Sequence, residues 1–212
     1  MTAVRLVLAR HGQTDANVTH ALDSRPPGAP LNANGLSQAA ALGRRLAGEP
    51  VTAVYASRAT RAQQTAAPIA AAHGLDVVVI DDVHEVFIGD HEGASVESAR
   101  DLFVGVSDAW RNGDLDARMP GGESARELHE RFIPAVEKLV EGATDTVVVA
   151  SHGAAIRLAA VAMLDNTVPG QYLDNTALVI LRAEPSGWVL EHWDPAPSTD
   201  RDAPAGDPIG PA

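Results

Sequence analysis

The chain contains no cysteine, which removes thiolate nucleophiles, cysteine-ligated zinc and disulfide staples at once. Lysine is almost missing: Lys138 is the only one, in a Glu-Lys-Leu helical setting. A phosphate-loop lysine or a Schiff-base lysine would have to be that residue, so both chemistries are set aside. Positive charge is scarce, and the net charge of -12 argues against a nucleic-acid or anionic-membrane partner, neither of which is drawn to an acidic surface. Long hydrophobic runs are absent as well. Leu6-Val7-Leu8-Ala9, between Arg5 and Arg10, is too short for a signal-peptide core, and no stretch approaches membrane-spanning length. A soluble cytoplasmic protein is expected.

What is present suits one domain. A chain of 212 residues can bury roughly 70% of its unfolded surface, so it needs no staple. From Pro195 the sequence reads PAPSTDRDAPAGDPIGPA, with Ile209 as its only large apolar residue. Such a segment buries too little to offset its ordering entropy, so residues 195–212 read as a disordered tail behind a domain over 1–194.

Within that domain the hydrophobic period alternates. Ala3 to Ala9, Val51 to Ala56, Val77 to Ile80 and Thr146 to Ala150 are short apolar runs, the pattern of strands buried on both faces of a parallel sheet. Helical spacing fills the gaps: Leu36, Ala39, Ala40, Gly43, Leu46 and Ala47 form one apolar face. Ala125, Leu128, Phe132, Val136 and Leu139 form a second, which Pro134 is expected to kink or break. Ile156, Ala159, Ala160 and Met163 form a third. Thr176 to Arg182 and Trp188 to Trp193 flank a Pro185-Ser186-Gly187 turn, a closing hairpin. The class is α/β with a mostly parallel sheet.

Unusual polar residues sit at the strand ends. Arg10-His11-Gly12 follows the first strand, Ser57 and Arg61 the second, Glu85 the third, and Ser151-His152-Gly153 the fourth. Ligands of open α/β sheets bind outside the carboxyl ends of the strands. Taken singly, each residue has a bland reading: a hydrogen-bonded structural histidine, a solvated arginine, or one carboxylate among Asp81, Asp82 and Glu92. Together, two arginines and two histidines converging on one edge call for a counter-anion. Guanidinium forks match phosphoryl oxygens bidentately and do not lose their protons.

Those same residues carry a family resemblance. Arg10-His11-Gly12-Gln13-Thr14 with Asn17 resembles the R-H-G-x-T-x-x-N signature of the histidine phosphatase (phosphoglycerate mutase-like) superfamily. Leu31 to Ala39, with Asn32 where threonine is usual, Ser57 to Ala66, Glu85 with Gly89 to Gly93, Pro120-Gly121-Gly122-Glu123-Ser124, and Ser151-His152-Gly153 with Ile156-Arg157 continue it in order to about residue 180. His91 stands where the family usually has an aromatic. The resemblance implies a phosphoglycerate mutase-like three-layer α/β/α sandwich with a small cap-like insertion over about residues 86–120. It implies that His11 is the nucleophile that becomes phosphorylated, and that Arg10, Arg61 and His152 bind the phosphoryl oxygens. Asn17, Gln13, Thr14 and the backbone at Gly153 would help bind substrate. Glu85 would be the proton donor, since Gly153 stands where the acid-phosphatase branch has an aspartate donor. It implies no cofactor and no metal, and a small phosphomonoester as partner; self-association is left open.

The reaction has three readings. Mutases of the family resemble R-H-G-E-S-x-W-N, whereas Gln13-Thr14 and Ala16 stand here. The stretch from Gly93 to Met119 holds only Arg100, Arg111 and Arg118 among five acidic residues. A mutase must hold a multiply anionic sugar acid, so a phosphatase is expected and a cofactor-dependent phosphoglycerate mutase is the alternative. A non-catalytic phospho-ligand binder is a third, disfavoured because His11, Arg61, Glu85 and His152 are all retained.

Overall fold

The computed structural model describes residues 4–168 and 170–195. Six strands form one sheet in the order β3-β2-β4-β1-β5-β6. The strands β1 (Arg5–Arg10), β2 (Val51–Ser57), β3 (Val77–Ile80) and β4 (Thr146–Ser151) run parallel, and the hairpin β5 (Leu178–Glu184) and β6 (Gly187–Asp194) adds an antiparallel edge beside β1. Helices cover both faces, so the sandwich has three layers.

Strand alternation builds a separate core on each face. A one-turn helix, α1 (Asp15–Val18), follows β1; on β1 itself, Val7 and Ala9 pack with Leu42 and Leu46 of α2 (Ala33–Leu46) and Ala62, Ala66 and Ile69 of α3 (Thr60–His73). Leu6 and Leu8 point the other way. They join Phe132 of α5 (Ala125–Val140), Ile156 of α6 (Gly153–Met163) and Phe103 of α4 (Val96–Arg111). Phe132 has no exposed surface, and truncating such a residue to alanine costs about 3–5 kcal/mol.

Four details differ from the sequence reading. The Val77–Ile80 run is not buried on both faces: β3 is an edge strand, with Val78 and Val79 49% and 47% exposed. Leu36 is likewise exposed, because Gly35 and Ala39, not Leu36, face the core at the start of α2. Helix α5 is unbroken at Pro134; that position is exposed, so the carbonyl deprived of its amide partner can be hydrated while Phe132 and Val136 stay buried. Helix α4 had no place in the periodicity argument. The Pro/Ala/Asp-rich tail, beyond Pro195, lies outside the described residues.

Topology fixes where a ligand can sit. Adjacent strands β1 and β4 send their following helices to opposite faces, α2 to one and α6 to the other. Their carboxyl ends therefore open a crevice at a topological switch point. The segment before α4 roofs it: the amides of Leu22 and Gly93 donate to the carbonyls of Ala94 and Leu22, each at 2.8 Å, and the Val96 amide donates to the His20 carbonyl at 2.8 Å. A short turn at Gly89–His91 and α4 complete this lobe.

Candidate active site

Register places the two histidines side by side. Arg10 pairs with Ser151 in the β1–β4 ladder, and the next amide, that of His11, donates to the Ser151 carbonyl at 3.0 Å. The rings of His11 and His152 meet edge to face, 5.2 Å apart. His11 Nδ1 lies 2.7 Å from the Gly12 carbonyl. A carbonyl only accepts, so Nδ1 carries the proton and Nε2 keeps its lone pair. Burial first, then the charges of Arg61 and Arg10, hold the His11 pKa well below the usual histidine value, and the ring stays neutral at pH 7.

The turn is narrow. A Cβ on Gly12 would approach the Gly35 carbonyl oxygen to 2.6 Å, so only glycine lets the turn rest on the first turn of α2. The Gly12 amide donates to Thr65 Oγ1 at 3.0 Å, and Thr65 Oγ1 donates to the Arg61 carbonyl at 2.7 Å. The His11-Gly12 turn and the helix bearing Arg61 are thereby tied together.

Two buried guanidiniums flank His11. Arg10 Nη1 donates to the Tyr172 hydroxyl at 2.7 Å and to the Leu173 carbonyl at 2.5 Å. Its stem lies across Gly153, where a Cβ would come within 3.2 Å of Arg10 Cδ. Arg61 is 2% exposed. Its Nη1 donates to Asp23 Oδ2 at 3.1 Å, while Nη2 donates to the Asp23 carbonyl at 2.8 Å and to His152 Nδ1 at 3.2 Å. Because a guanidinium only donates, His152 Nδ1 accepts, and its Nε2 donates to Ser57 Oγ at 2.7 Å. Burial, with Arg61 next, pushes the His152 pKa well down, consistent with that neutral form.

Glu85 sits on the amino end of α6. Oε1 accepts from the amides of Val86 (2.9 Å) and Ala155 (2.8 Å), and Oε2 accepts from Ala154 at 3.2 Å. Burial nevertheless dominates these amides and the charge of Arg10, so the carboxyl titrates above its ordinary value. Its loop is clamped from behind. Arg131 donates to the carbonyls of Asp82 (2.6 Å), His84 (3.0 Å) and Glu85 (3.2 Å), and forms a two-pronged pair with Glu123 at 2.5 and 2.7 Å. Glu92 pins the facing loop by accepting from the Ser24 amide (2.8 Å), the Ser24 hydroxyl and the Arg25 amide (3.1 Å).

One pocket is lined by Arg10, His11, Thr14, Asn17, Arg61, Glu85 and Gly153. Asn17 Oδ1 accepts from the Thr14 amide at 3.0 Å and from Asn175 Nδ2 at 3.2 Å, which leaves its amino group to donate to a ligand. Two sequence-predicted residues lie elsewhere. Gln13 is outside the lining; its Oε1 accepts from Asn32 and Asn34 at 3.1 and 3.2 Å and fastens the turn to α2. His152 is fully buried behind the lining and reaches the pocket through Arg61. The reading missed Asp23, Tyr172 and the Arg131–Glu123 clamp. Glu123 stood within a motif, but nothing in the spacing tied it to Arg131 or to Glu85. Among the described residues no group of three or more histidine or acidic side chains could hold a metal ion, and no helix is long and apolar enough to cross a membrane.

Comparison with known proteins bears on this geometry. The family model described as histidine phosphatase superfamily (branch 1) matches residues 6–195. A probable phosphoglycerate mutase GpmB of Serratia proteamaculans (strain 568) is 30% identical over 205 residues, 90% of each chain. A mycobacterial glucosyl-3-phosphoglycerate phosphatase in complex with VO3 superposes with a TM-score of 0.80 at 29% identity, over 92% of this chain and all of that one. The alpha-ribazole phosphatase of Shigella flexneri gives 0.73 at 25% identity, over 90% and 96%.

Proposed function

The chain belongs to branch 1 of the histidine phosphatase superfamily, and from that premise we propose that it hydrolyses small phosphomonoesters through a phosphohistidine on His11, with Glu85 as the proton donor. One observation carries the reading: a neutral His11, tethered through Nδ1 to the Gly12 carbonyl so that Nε2 keeps its lone pair, lines one pocket with two guanidiniums, Arg10 and Arg61. In the first step Nε2 forms a bond to phosphorus and the ester P–O bond breaks; the departing alkoxide takes the proton of Glu85. In the second step the Glu85 carboxylate takes a proton from water, whose oxygen attacks phosphorus. The P–N bond breaks, phosphate leaves, and both residues return to their starting states.

The chain's other residues assist by position and charge. Arg10 and Arg61, with the Asn17 amino group, neutralise the phosphoryl oxygens as charge shifts in the transition state. The raised pKa of Glu85 keeps a proton available nearer to neutrality than an ordinary carboxyl would. A mutase would run the same first step but return the phosphoryl group to a sugar acid. The absent tryptophan after Arg10-His11-Gly12 and the few basic residues from Gly93 to Met119 favour hydrolysis.

The test uses 3-phosphoglycerate, glycerol 3-phosphate and nitrophenyl phosphate, with bisphosphoglycerate present and absent. Inorganic phosphate should form faster than any isomer, and His11→Ala should abolish both turnover and the acid-labile phosphoenzyme. Isomer formation outpacing release would assign a mutase. A phosphoenzyme persisting in His11→Ala would remove the nucleophile from His11.

A further inference from the structure

The phosphoryl end of the pocket is cationic, but its rim carries a fixed negative charge. Asp23 lines the same pocket, and its carboxylate is built in: Oδ2 accepts from Arg61 Nη1 at 3.1 Å and from the Ala29 amide at 2.8 Å. The neighbouring residues Ser24 and Arg25 are anchored by Glu92 through three hydrogen bonds. A carboxylate held from both sides cannot swing away when a ligand arrives. Leu22, Val86, Ile88, Val96 and Phe103 add apolar lining, and His20, Ser24 and Tyr172 add polar lining. Apart from Arg10 and Arg61, the lining contains one further arginine, Arg157, on α6.

Resting on the phosphatase reading of this pocket, we propose that Asp23 is a specificity-determining residue that restricts the enzyme to phosphate monoesters of neutral alcohols and rejects esters carrying a second anionic group. The charge balance leads there. The phosphoryl group consumes the two buried arginines. A second anion on the leaving group then comes up against the Asp23 carboxylate, and like charges brought together in a partly desolvated site repel strongly. A hydroxyl group in the same place gains an acceptor, since a carboxylate offers several lone-pair sites. Arg157, on α6, lays its stem beside Gly170.

Glycerol 3-phosphate and 3-phosphoglycerate make a matched pair, with a hydroxymethyl group in one and a carboxylate in the other. The expected kcat/KM ratio in the wild type favours glycerol 3-phosphate by about 30-fold or more, the scale of one like-charge encounter. Asp23→Asn keeps the size and the hydrogen bond from Ala29 but removes the charge, and the ratio should fall at least tenfold. Any displacement of Arg61 lowers both substrates alike and cancels in the ratio. Binding of the same two ligands to His11→Ala and to His11→Ala/Asp23→Asn, followed by phosphorus NMR, reads the charge selection without turnover. A wild-type ratio near one, or a ratio and a binding preference that Asp23→Asn leaves unchanged, overturns the proposal. Absence of phosphate release from nitrophenyl phosphate, with the binding preference intact, would instead overturn only the hydrolytic reading.

Discussion

Replacing Glu85 by glutamine separates proton donation from every other role in the pocket. The side chain keeps its length and one acceptor oxygen for the amides of Val86, Ala154 and Ala155, but it has no proton to transfer. An alkyl alkoxide is a poor leaving group, and general-acid assistance is worth about 10²- to 10⁴-fold. At about 1.4 kcal/mol per decade this is roughly 3–5 kcal/mol of transition-state stabilisation. The upper half of the range is expected, because burial holds the Glu85 pKa above its ordinary value and keeps more of it protonated at working pH. The kcat/KM for glycerol 3-phosphate should therefore fall by about 10³-fold or more, whereas that for nitrophenyl phosphate, whose oxide departs unaided, should fall less than about tenfold.

The pH profile supplies a second reading of the same variant. In the wild type the alkaline limb of kcat/KM reports loss of the Glu85 proton, and it should lie above the ordinary carboxylate range. In Glu85→Gln that limb should flatten, while any contribution from the substrate phosphate, present in both proteins, cancels in the comparison. Pre-steady-state measurement with nitrophenyl phosphate should reveal a burst, because the proposed second step has Glu85 activate water against phosphorylated His11. The rival acids are otherwise engaged: Asp82 is exposed, and Glu92 is spent on Ser24 and Arg25. Asp82→Asn should be nearly silent, and Glu92→Gln should lower both substrates together by loosening the loop. Equal losses on the two substrates in Glu85→Gln, or a leaving-group-dependent loss in Asp82→Asn, would refute the assignment.

Arg131→Met should reproduce the leaving-group dependence of Glu85→Gln in weaker form, about tenfold on glycerol 3-phosphate, since the clamp on the 82–85 carbonyls is lost and Glu123 is stranded; urea unfolding should show a loss of up to about 3 kcal/mol. Stability should fall as the pH drops below about 6.5, because His11 and His152 have folded pKa values beneath their unfolded ones, so the unfolded chain binds the extra protons. His84 and His129 act in the same direction and the raised pKa of Glu85 in the opposite one, so the test is the difference: His152→Asn should reduce the slope by up to about 1.4 kcal/mol per pH unit, and an unchanged slope would contradict its neutral form. Activity should survive exhaustive chelation, since Arg10 and Arg61 already supply the positive charge at the phosphoryl group; loss of turnover in EDTA restored by a divalent ion would point to a metal-dependent reaction.

Much of the fold was legible along the chain. The β-branched run at Val147–Val149 and the apolar run at Leu6–Ala9 identify strands buried from both sides, and Gly12, Gly153 and the strand-end arginines identify a crevice that takes an anion. The sequence pattern failed where exposure depends on neighbours. Val77–Ile80 reads like an interior strand, yet among the described residues it pairs only with β2 and no later segment returns to its free edge. Helix α4 escaped notice because its buried face, Val96, Ala99, Phe103, Val106 and Trp110, is divided by acidic and small residues that suit a lobe packed on one side.

The sequence by itself determined the chemistry on offer. The absence of cysteine and the single lysine remove thiolate and Schiff-base chemistry, and alternation of strand and helix puts Arg10-His11-Gly12 at the carboxyl edge of the sheet. Tertiary structure alone decided what each polar group faces. Only the β1–β4 register sets His11 against His152, and only the packing of the Asp23 loop on Arg61 sets a carboxylate beside the guanidinium that also donates to His152. Only the meeting of α5 with the 82–85 loop places Arg131 on three carbonyls and fixes Glu85 at the amino end of α6. The physical reason is range. Helix and strand periodicity records which face is buried over a few residues, whereas a pKa, a tautomer or the charge of a pocket is set by groups brought together from distant parts of the chain.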